Sequence, residues 1–134
     1  MVMLGAKRGS AKRTVLVVDD NPIIRAQIRE LFLSDSFDLV EEAEDGLQAL
    51  QVARDCQPDV IILDLAMPVM SGIEAAPQLR KLLPETPIIL FSLHADHLKH
   101  VDCASLGISA TISKTDPPED LLRKVHELTD TREL

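Results

Sequence analysis

The stretch TVLVVDDNP, at residues 14–22, decides the fold. Its first five residues, Thr14–Val18, form a continuous and mostly β-branched run, which predicts a buried strand. The run ends abruptly in Asp19 and Asp20. Asn21 then suits a helix N-cap and Pro22 suits the first helical position. Apolar residues recur beyond it at helical spacing, at Ile24, Ile28, Leu31 and Phe32. We therefore predict a strand that passes directly into an amphipathic helix, with two carboxylates at the junction.

The same alternation of strand and helix continues along the chain. Further strands are predicted at Phe37–Val40, Val60–Leu63, Ile88–Phe91 and Ala110–Ser113. Helices are predicted at Gly46–Asp55, Gly72–Leu83 and Asp96–Leu106, followed by a last helix from the capping segment Asp116–Glu119 to about Leu128. Pro77 should remove one backbone hydrogen bond from its helix and delay or kink the start. Five apolar strands that alternate with five helices imply an α/β fold, with a parallel sheet covered on both faces.

Composition limits the number of domains and the class of partner. A chain of 134 residues allows one domain with short tails. The net charge of −8 repels the phosphates of nucleic acid and the anionic face of a membrane. The aromatic content of 2% also removes the usual platforms for base stacking. We therefore expect no direct nucleic acid partner and no membrane partner.

The ends of the chain differ from its body. The first 13 residues contain Lys7, Arg8, Lys12 and Arg13 and no acid, so we predict a disordered basic arm at residues 1–13. The domain itself should cover residues 14–128, with a C-terminal tail at 129–134. No apolar run approaches the roughly 20 residues of a membrane span. Cys56 and Cys103 are only two, are not in a CxxC spacing, and each lies in an apolar or helical context, which favours reduced thiols and a cytoplasmic location.

Polar residues follow the predicted strands where each strand ends. They are Asp19, Asp20, Asp64, Ser92 and Lys114. In open parallel sheets, ligands bind beyond these carboxyl ends. Crowded carboxylates favour a cation, and hard oxygen ligands suit Mg²⁺. A lysine and a hydroxyl suit phosphoryl oxygens, and an aspartate can itself accept a phosphoryl group as an acyl phosphate. Asp64 is the candidate nucleophile.

Four segments resemble one known family in order along the chain. They are VLVVDDNP at 15–22, DVIILDLAMPVMSG at 59–72, ILFS at 89–92 and ISKTDPPEDLL at 112–122. Together they resemble the receiver domain of two-component response regulators over about residues 14–128. The resemblance implies a doubly wound, flavodoxin-like sheet with strand order 2-1-3-4-5, for which this family serves as an example.

The resemblance also implies a role for each site residue. Asp64 would accept a phosphoryl group from a histidine kinase, a histidine phosphotransfer protein or a small phosphodonor. Asp20 and Asp64 would bind Mg²⁺ directly and Asp19 through water, with the carbonyl of Ala66 as a further ligand. The phosphoryl oxygens would be held by Ser92 and Lys114. Such a chain catalyses only its own phosphorylation and dephosphorylation and is not otherwise an enzyme.

Two positions depart from the family pattern. Thr111 stands where receivers commonly have an aromatic residue that switches its position. Thr115 follows Lys114 where a cis proline is frequent, so we predict a trans bond there. We expect phosphorylation to shift backbone and helices within residues 96–128 and to change self-association, including possible homodimerisation. The downstream protein partner is not indicated.

Other functions remain open on the sequence alone. The ending KTDPPEDLL resembles receivers that are usually fused to a helix-turn-helix DNA-binding domain, so the chain could be the receiver portion of a longer DNA-binding regulator. A receiver-like interaction module that is not phosphorylated is a second alternative. A phosphatase of the haloacid dehalogenase type would need a second acid at the position of Ala66. His94, His97 and His100 recur in steps of three, which favours a solvated face over a zinc site.

Overall fold

The computed structural model describes residues 12–93 and 102–132. Strands and helices alternate along them. The strands are β1 (Thr14–Val18), β2 (Leu39–Ala43), β3 (Val60–Leu63), β4 (Ile88–Ser92) and β5 (Ala110–Ser113). The helices are α1 (Pro22–Leu33), α2 (Gly46–Cys56), α3 (Gly72–Leu82) and α4 (Pro118–Arg132).

All five strands pair in parallel in the order β2-β1-β3-β4-β5. This confirms the predicted fold class and strand order. Val18, the last residue of β1, is opposite both Ala43 of β2 and Leu63 of β3. These three strands therefore end at the same level. The residues that follow β1 and β3, Asp19 and Asp64, leave the sheet side by side.

The sheet is buried on both faces: apart from Thr14, its central strands β1 and β3 are apolar, and every position in them is buried. Odd and even residues of β1 face different clusters: Val15 and Val17 one, Leu16 and Val18 the other. On the first face, α1 and α4 contribute Ile28, Phe32, Leu121 and Val125. On the second, α2 and α3 contribute Ala49, Ala53, Ala75, Ala76 and Leu79. The small alanines allow these two helices to lie close to the sheet.

Side-chain caps fix the starts of three helices, and at α2 the carboxylate of Asp45 accepts from the amide of Gln48. The side chain of Asn21 accepts hydrogen bonds from the amides of Ile23 and Ile24, which confirms the predicted cap of α1. Ser71 and Glu74 form a capping box at the start of α3. The helix begins at Gly72, as predicted, with Pro77 inside it, so of the two expected effects of Pro77 on the start, a delay or a kink, the delay does not occur. The capping box satisfies the first turn before the proline is reached.

The second strand begins later than predicted. It spans Leu39–Ala43 rather than 37–40. Phe37 is buried outside the strand, where its ring meets Phe32 edge to face with centroids 5.1 Å apart. The strand continues instead through two glutamates, Glu41 and Glu42. An edge strand tolerates such half-exposed polar residues.

The helix predicted at 96–106 is not seen where the structure describes that segment. Residues 94–101 lie outside the described residues, and residues 103–107 form turns. Gly107 adopts a positive φ of 85°, which ends any helical path. Arg80 holds this turn, because its guanidinium donates to the carbonyl of Gly107 at 2.7 Å as well as to that of Leu83 at 3.0 Å.

Both ends of the domain extend past their predicted limits. Residues 1–11 of the predicted basic arm lie outside the described residues. Arg13, the last residue of the predicted arm, packs instead on the domain: its guanidinium lies 4.6 Å from the centre of the Phe37 ring and donates to Thr129. Thr129 is itself buried. Helix α4 runs to Arg132, so the prediction of a tail from 129 is wrong for residues 129–132. Among the described helices, none is both long and apolar enough to cross a membrane.

Candidate functional site

Three aspartates meet at the carboxyl end of the two central strands. The amide of Asp64 donates to the carbonyl of Val18 at 2.9 Å, and that of Asp19 donates to Ala43 at 3.0 Å. The sheet ladder thus continues one residue past β1 and β3. One carboxylate oxygen from each of Asp19, Asp20 and Asp64 lies within 4.8 Å of the others. The geometry brings together the three acids that the sequence predicted to share one site.

Lys114 lies between two of these acids. Its Nζ is 2.7 Å from Oδ2 of Asp19 and 3.2 Å from Oδ1 of Asp64. Asp19 and Asp64 are buried, whereas Asp20 is exposed. One ammonium group therefore faces three carboxylates, and the site retains an excess of negative charge.

Burial and crowding alter the titration of this cluster. Burial raises the pKa of Asp64, and the charge of Asp19 raises it further, while the ion pair with Lys114 only partly opposes both. Burial would lower the pKa of Lys114, but its hydrogen bond to Asp19 and the two carboxylate charges outweigh burial and raise the pKa. Keeping Asp64 ionised in the folded protein therefore costs free energy, and a bound cation would reduce that cost.

We expect Asp64→Asn to raise the thermal stability of the metal-free protein at neutral pH. Folding disfavours ionisation of Asp64, because its folded pKa lies above the ordinary value of 3.8. This penalty is absent below that pH and complete above the folded pKa. Melting temperatures of both proteins in EDTA, measured from acid to neutral pH, should diverge in that direction. A variant less stable than the wild type at neutral pH would contradict the charge-crowding argument.

Ser92 and Lys114 come from the neighbouring strands. Ser92 ends β4, is buried, and is opposite Ser113 in the register. The amide of Lys114 donates to the carbonyl of Ser92 at 3.1 Å. The backbone therefore brings both residues to the edge of the sheet where the acids lie.

The loop after Asp64 is held tightly at one point. The amide of Gly72 donates to the carbonyl of Leu65 at 2.9 Å. A Cβ atom on Gly72 would lie 2.1 Å from the carbonyl oxygen of Asp64, so only glycine fits. Ala66 is exposed in this loop. Val69 has a positive φ of 66°, which is unfavourable for a β-branched residue.

The loop after Lys114 is ordered by hydroxyl groups. The bond between Lys114 and Thr115 is trans, as predicted. The hydroxyl groups of Ser113 and Thr115 lie 2.7 Å apart, and the amide of Ser113 donates to Asp116. Thr111 is exposed on β5. This short network fixes the backbone on both sides of Lys114.

One contact at the site was not predicted from the sequence. Nη1 of Arg25 donates to the backbone carbonyl of Asp19 at 2.6 Å, and its Nε donates to Glu42 at 2.9 Å. Glu42 lies beyond the strand predicted at 37–40, and the partner of Arg25 is a backbone carbonyl, so local spacing offered no signal for this contact. The three histidines at 94, 97 and 100 lie outside the described residues. Within the described part of the chain, the grouped carboxylates of the three aspartates form the only cluster of candidate metal ligands.

The donor set determines what this site can bind. Within the described residues the ligand atoms of this cluster are all carboxylate oxygens, which suit a hard divalent cation. An ammonium group beside them can hold an anionic oxygen when a cation has offset the acids. The arrangement therefore suits a group that is itself anionic and metal-bound, such as a phosphoryl group.

Comparison with known proteins identifies the family pattern. A family model for the response regulator receiver domain matches residues 15–126. The nitrate/nitrite response regulator protein NarL of Escherichia coli strain K12 is 33% identical over 115 residues, which cover 85% of this chain and 53% of NarL. The chain thus spans about half the length of the first curated relatives that it matches.

Solved structures share the fold. A response regulator receiver domain protein from Methanospirillum hungatei JF-1 superposes with a TM-score of 0.84 and 26% identity, covering 91% of this chain and 97% of that chain. A chain of the CheX–CheY–BeF3–Mg²⁺ complex from Borrelia burgdorferi gives a TM-score of 0.78 and 27% identity, covering 86% of this chain and 87% of that one.

Proposed function

This chain belongs to the response regulator receiver domain family, and from that premise we propose that Asp64 accepts a phosphoryl group. The observation that carries the proposal is the environment of Asp64. It is buried at the end of β3, with the Lys114 ammonium 3.2 Å away and two further carboxylates in the same cluster. A phosphoryl acceptor needs such a carboxylate, together with groups that neutralise the incoming oxygens.

We further propose that the three aspartates bind Mg²⁺. Carboxylate oxygens that approach within 4.8 Å of one another, with too little positive charge to balance them, fit such an ion. Asp20, which is exposed, and Asp64, which is buried, would be direct ligands, with the Ala66 carbonyl as a third. Asp19, already paired with Lys114 at 2.7 Å, would act through water. When bound, the ion supplies charge neutralisation for the transferring oxygens.

The chemical step follows from the positions of the chain's own groups. An oxygen of ionised Asp64 attacks phosphorus, and the bond from phosphorus to the donor breaks with its electron pair leaving on the donor. Lys114 then exchanges part of its contact with the acids for a phosphoryl oxygen, because that oxygen brings new negative charge. The hydroxyl of Ser92 donates to another phosphoryl oxygen. The product is an acyl phosphate on Asp64.

We also propose the source of the phosphoryl group and the cellular role of the chain. A histidine kinase or a histidine phosphotransfer protein in the cytoplasm would supply the phosphoryl group, and the chain would act on no other substrate. Because it spans only about half the length of its first curated relatives, we also consider it as the receiver portion of a longer DNA-binding regulator. Detection of a DNA-binding segment in the same reading frame would support this alternative.

Intact-mass measurement tests the proposal. The wild-type protein incubated with acetyl phosphate and Mg²⁺ should gain the mass of one phosphoryl group, and hydroxylamine should remove it because acyl phosphates are labile. The same mixture with excess EDTA should show no gain. Absence of any phosphorylated species from acetyl phosphate would contradict the proposal, as would a modification that resists hydroxylamine.

The two neighbouring acids should differ in their effect on metal affinity. We expect Asp20→Ala to weaken Mg²⁺ binding more than Asp19→Ala, by about tenfold for loss of one charged direct ligand. Mg²⁺ titrations followed by amide NMR shifts measure both dissociation constants. Equal affinities of the two variants would contradict the assignment of a direct and an indirect ligand.

A further inference from the structure

A charged bridge links α1, β2 and the first metal-site acid. The carboxylate of Glu42 accepts from Arg25 at 2.9 Å and from Arg29 at 2.9 Å. Arg29 also donates to the carbonyl of Val40, whereas Arg25 donates to the carbonyl of Asp19. The two arginines thus share one carboxylate, but only Arg25 reaches the site.

Arg25 is the more enclosed of the two. Its side chain is 16% exposed, compared with 43% for Arg29. The flanking guanidinium groups lower the pKa of Glu42 despite the opposing effect of burial, so the glutamate stays ionised. Ionised Glu42 in turn fixes the orientation of the Arg25 fork, because a planar guanidinium donates in set directions.

The backbone of Asp19 is consequently held from two sides. Its amide donates to Ala43 at the end of β2, and its carbonyl accepts from Arg25 on α1. Its side chain is fixed as well, since Oδ1 accepts the amide of Asn21 and Oδ2 pairs with Lys114. Asp20 differs, because no side-chain partner is found for it among the described residues. The direction of its carboxylate therefore depends on the peptide group that joins it to Asp19.

From this geometry we propose that Arg25 is a positioning residue that aims the carboxylate of Asp20 by holding the carbonyl of Asp19, with Glu42 as its support. The inference rests on the proposed metal role of the acids. Arg25 does not touch the ion or the reacting atoms. It acts by restricting rotation of the Asp19–Asp20 peptide group. Less conformational entropy is then lost when the metal binds.

Electrostatics alone predicts the opposite effect of removing Arg25. A positive charge near the acid cluster repels Mg²⁺, so its loss would tighten metal binding if charge were the main influence. If Arg25 instead positions Asp20, removing Arg25 weakens Mg²⁺ binding. The sign of the change in affinity therefore separates the two roles.

The test compares Arg25→Met with Arg29→Met. Each variant removes one guanidinium from Glu42 and keeps an unbranched apolar stem, but only the first loses the contact to Asp19. Mg²⁺ is titrated into each folded protein and into the wild type, followed by two-dimensional amide NMR spectra. We expect the dissociation constant to rise about five- to tenfold for Arg25→Met, the scale of one ordinary hydrogen bond, and to stay within about twofold for Arg29→Met.

Arg25→Lys is the second variant and keeps the protein testable if Arg25→Met does not fold. One ammonium cannot bridge both acceptors with the geometry of the fork, so its affinity should also fall although its charge is conserved. Unchanged or tighter binding in the Arg25 variants, or equal weakening in Arg29→Met, overturns the inference. Failure of the wild type itself to bind Mg²⁺ would instead overturn the proposed metal site.

Discussion

Asp64→Asn is expected to abolish phosphoryl transfer from acetyl phosphate, which is the largest change in activity that the structure predicts. The neutral amide lacks the nucleophilic oxygen, and the neighbouring Asp19 is already engaged by Lys114 at 2.7 Å. Asp20, the exposed acid of the cluster, precedes the first helix rather than ending β3. Intact mass after incubation with Mg²⁺ and acetyl phosphate should show no adduct.

Asp55→Asn serves as the matched control, because Asp55 is an exposed acid on α2 away from the strand ends. It should be phosphorylated like the wild type. Phosphorylation of the Asp64→Asn variant at the wild-type level would show that another residue is the acceptor. Thermal melting in EDTA establishes that both variants are folded, and the Asp64→Asn variant is expected to be the more stable.

Gly72→Ala should produce the largest loss of stability. The added Cβ would lie 2.1 Å from the carbonyl oxygen of Asp64, and the backbone of β3 cannot yield as a side chain would. Helix α3 must therefore shift away from the strand or the loop must rebuild. We expect a loss of about 2–4 kcal/mol in the free energy of unfolding, in the range of severe overpacking. Urea denaturation measures it.

Gly46→Ala provides a graded comparison. Its added Cβ would come within 2.8 Å of Met70, partly against the flexible side chain and partly against the backbone oxygen. The loss of stability should be smaller than for Gly72→Ala. If Gly72→Ala were as stable as the wild type, the close approach of α3 to Asp64 would be contradicted.

The sequence indicated most of the sheet because β1, β3 and β4 are largely apolar runs. The bounds of β1, β3 and β5 match their predictions, since each run ends in a polar residue. The same endings located the acids and Lys114, because parallel strands leave a sheet at a common edge. The apolar runs that predicted the strands therefore also predicted where the site residues lie.

The features that were missed depend on contacts between distant residues. Phe37 looked like a strand residue, but it is buried against Phe32 before the strand begins. The bond from Arg25 to the carbonyl of Asp19 leaves no mark on helical periodicity, because it involves the backbone of its partner. Likewise, the turn held by Arg80 depends on a partner 27 residues away. Apolar periodicity records burial and not these polar pairings.

The strand order divides the site into two halves that differ in local stability. Asp19 and Asp64 follow β1 and β3, the central strands, whose residues are almost wholly buried. Lys114 follows β5, an edge strand whose residues are only partly buried or exposed. Amide hydrogens of β1 and β3 should exchange only through near-global unfolding. Those of β5 should exchange through local opening, which requires less free energy. Under the proposed function, the phosphoryl acceptor would thus follow a well-protected central strand, and the lysine that would contact the phosphoryl group follows a less protected edge strand.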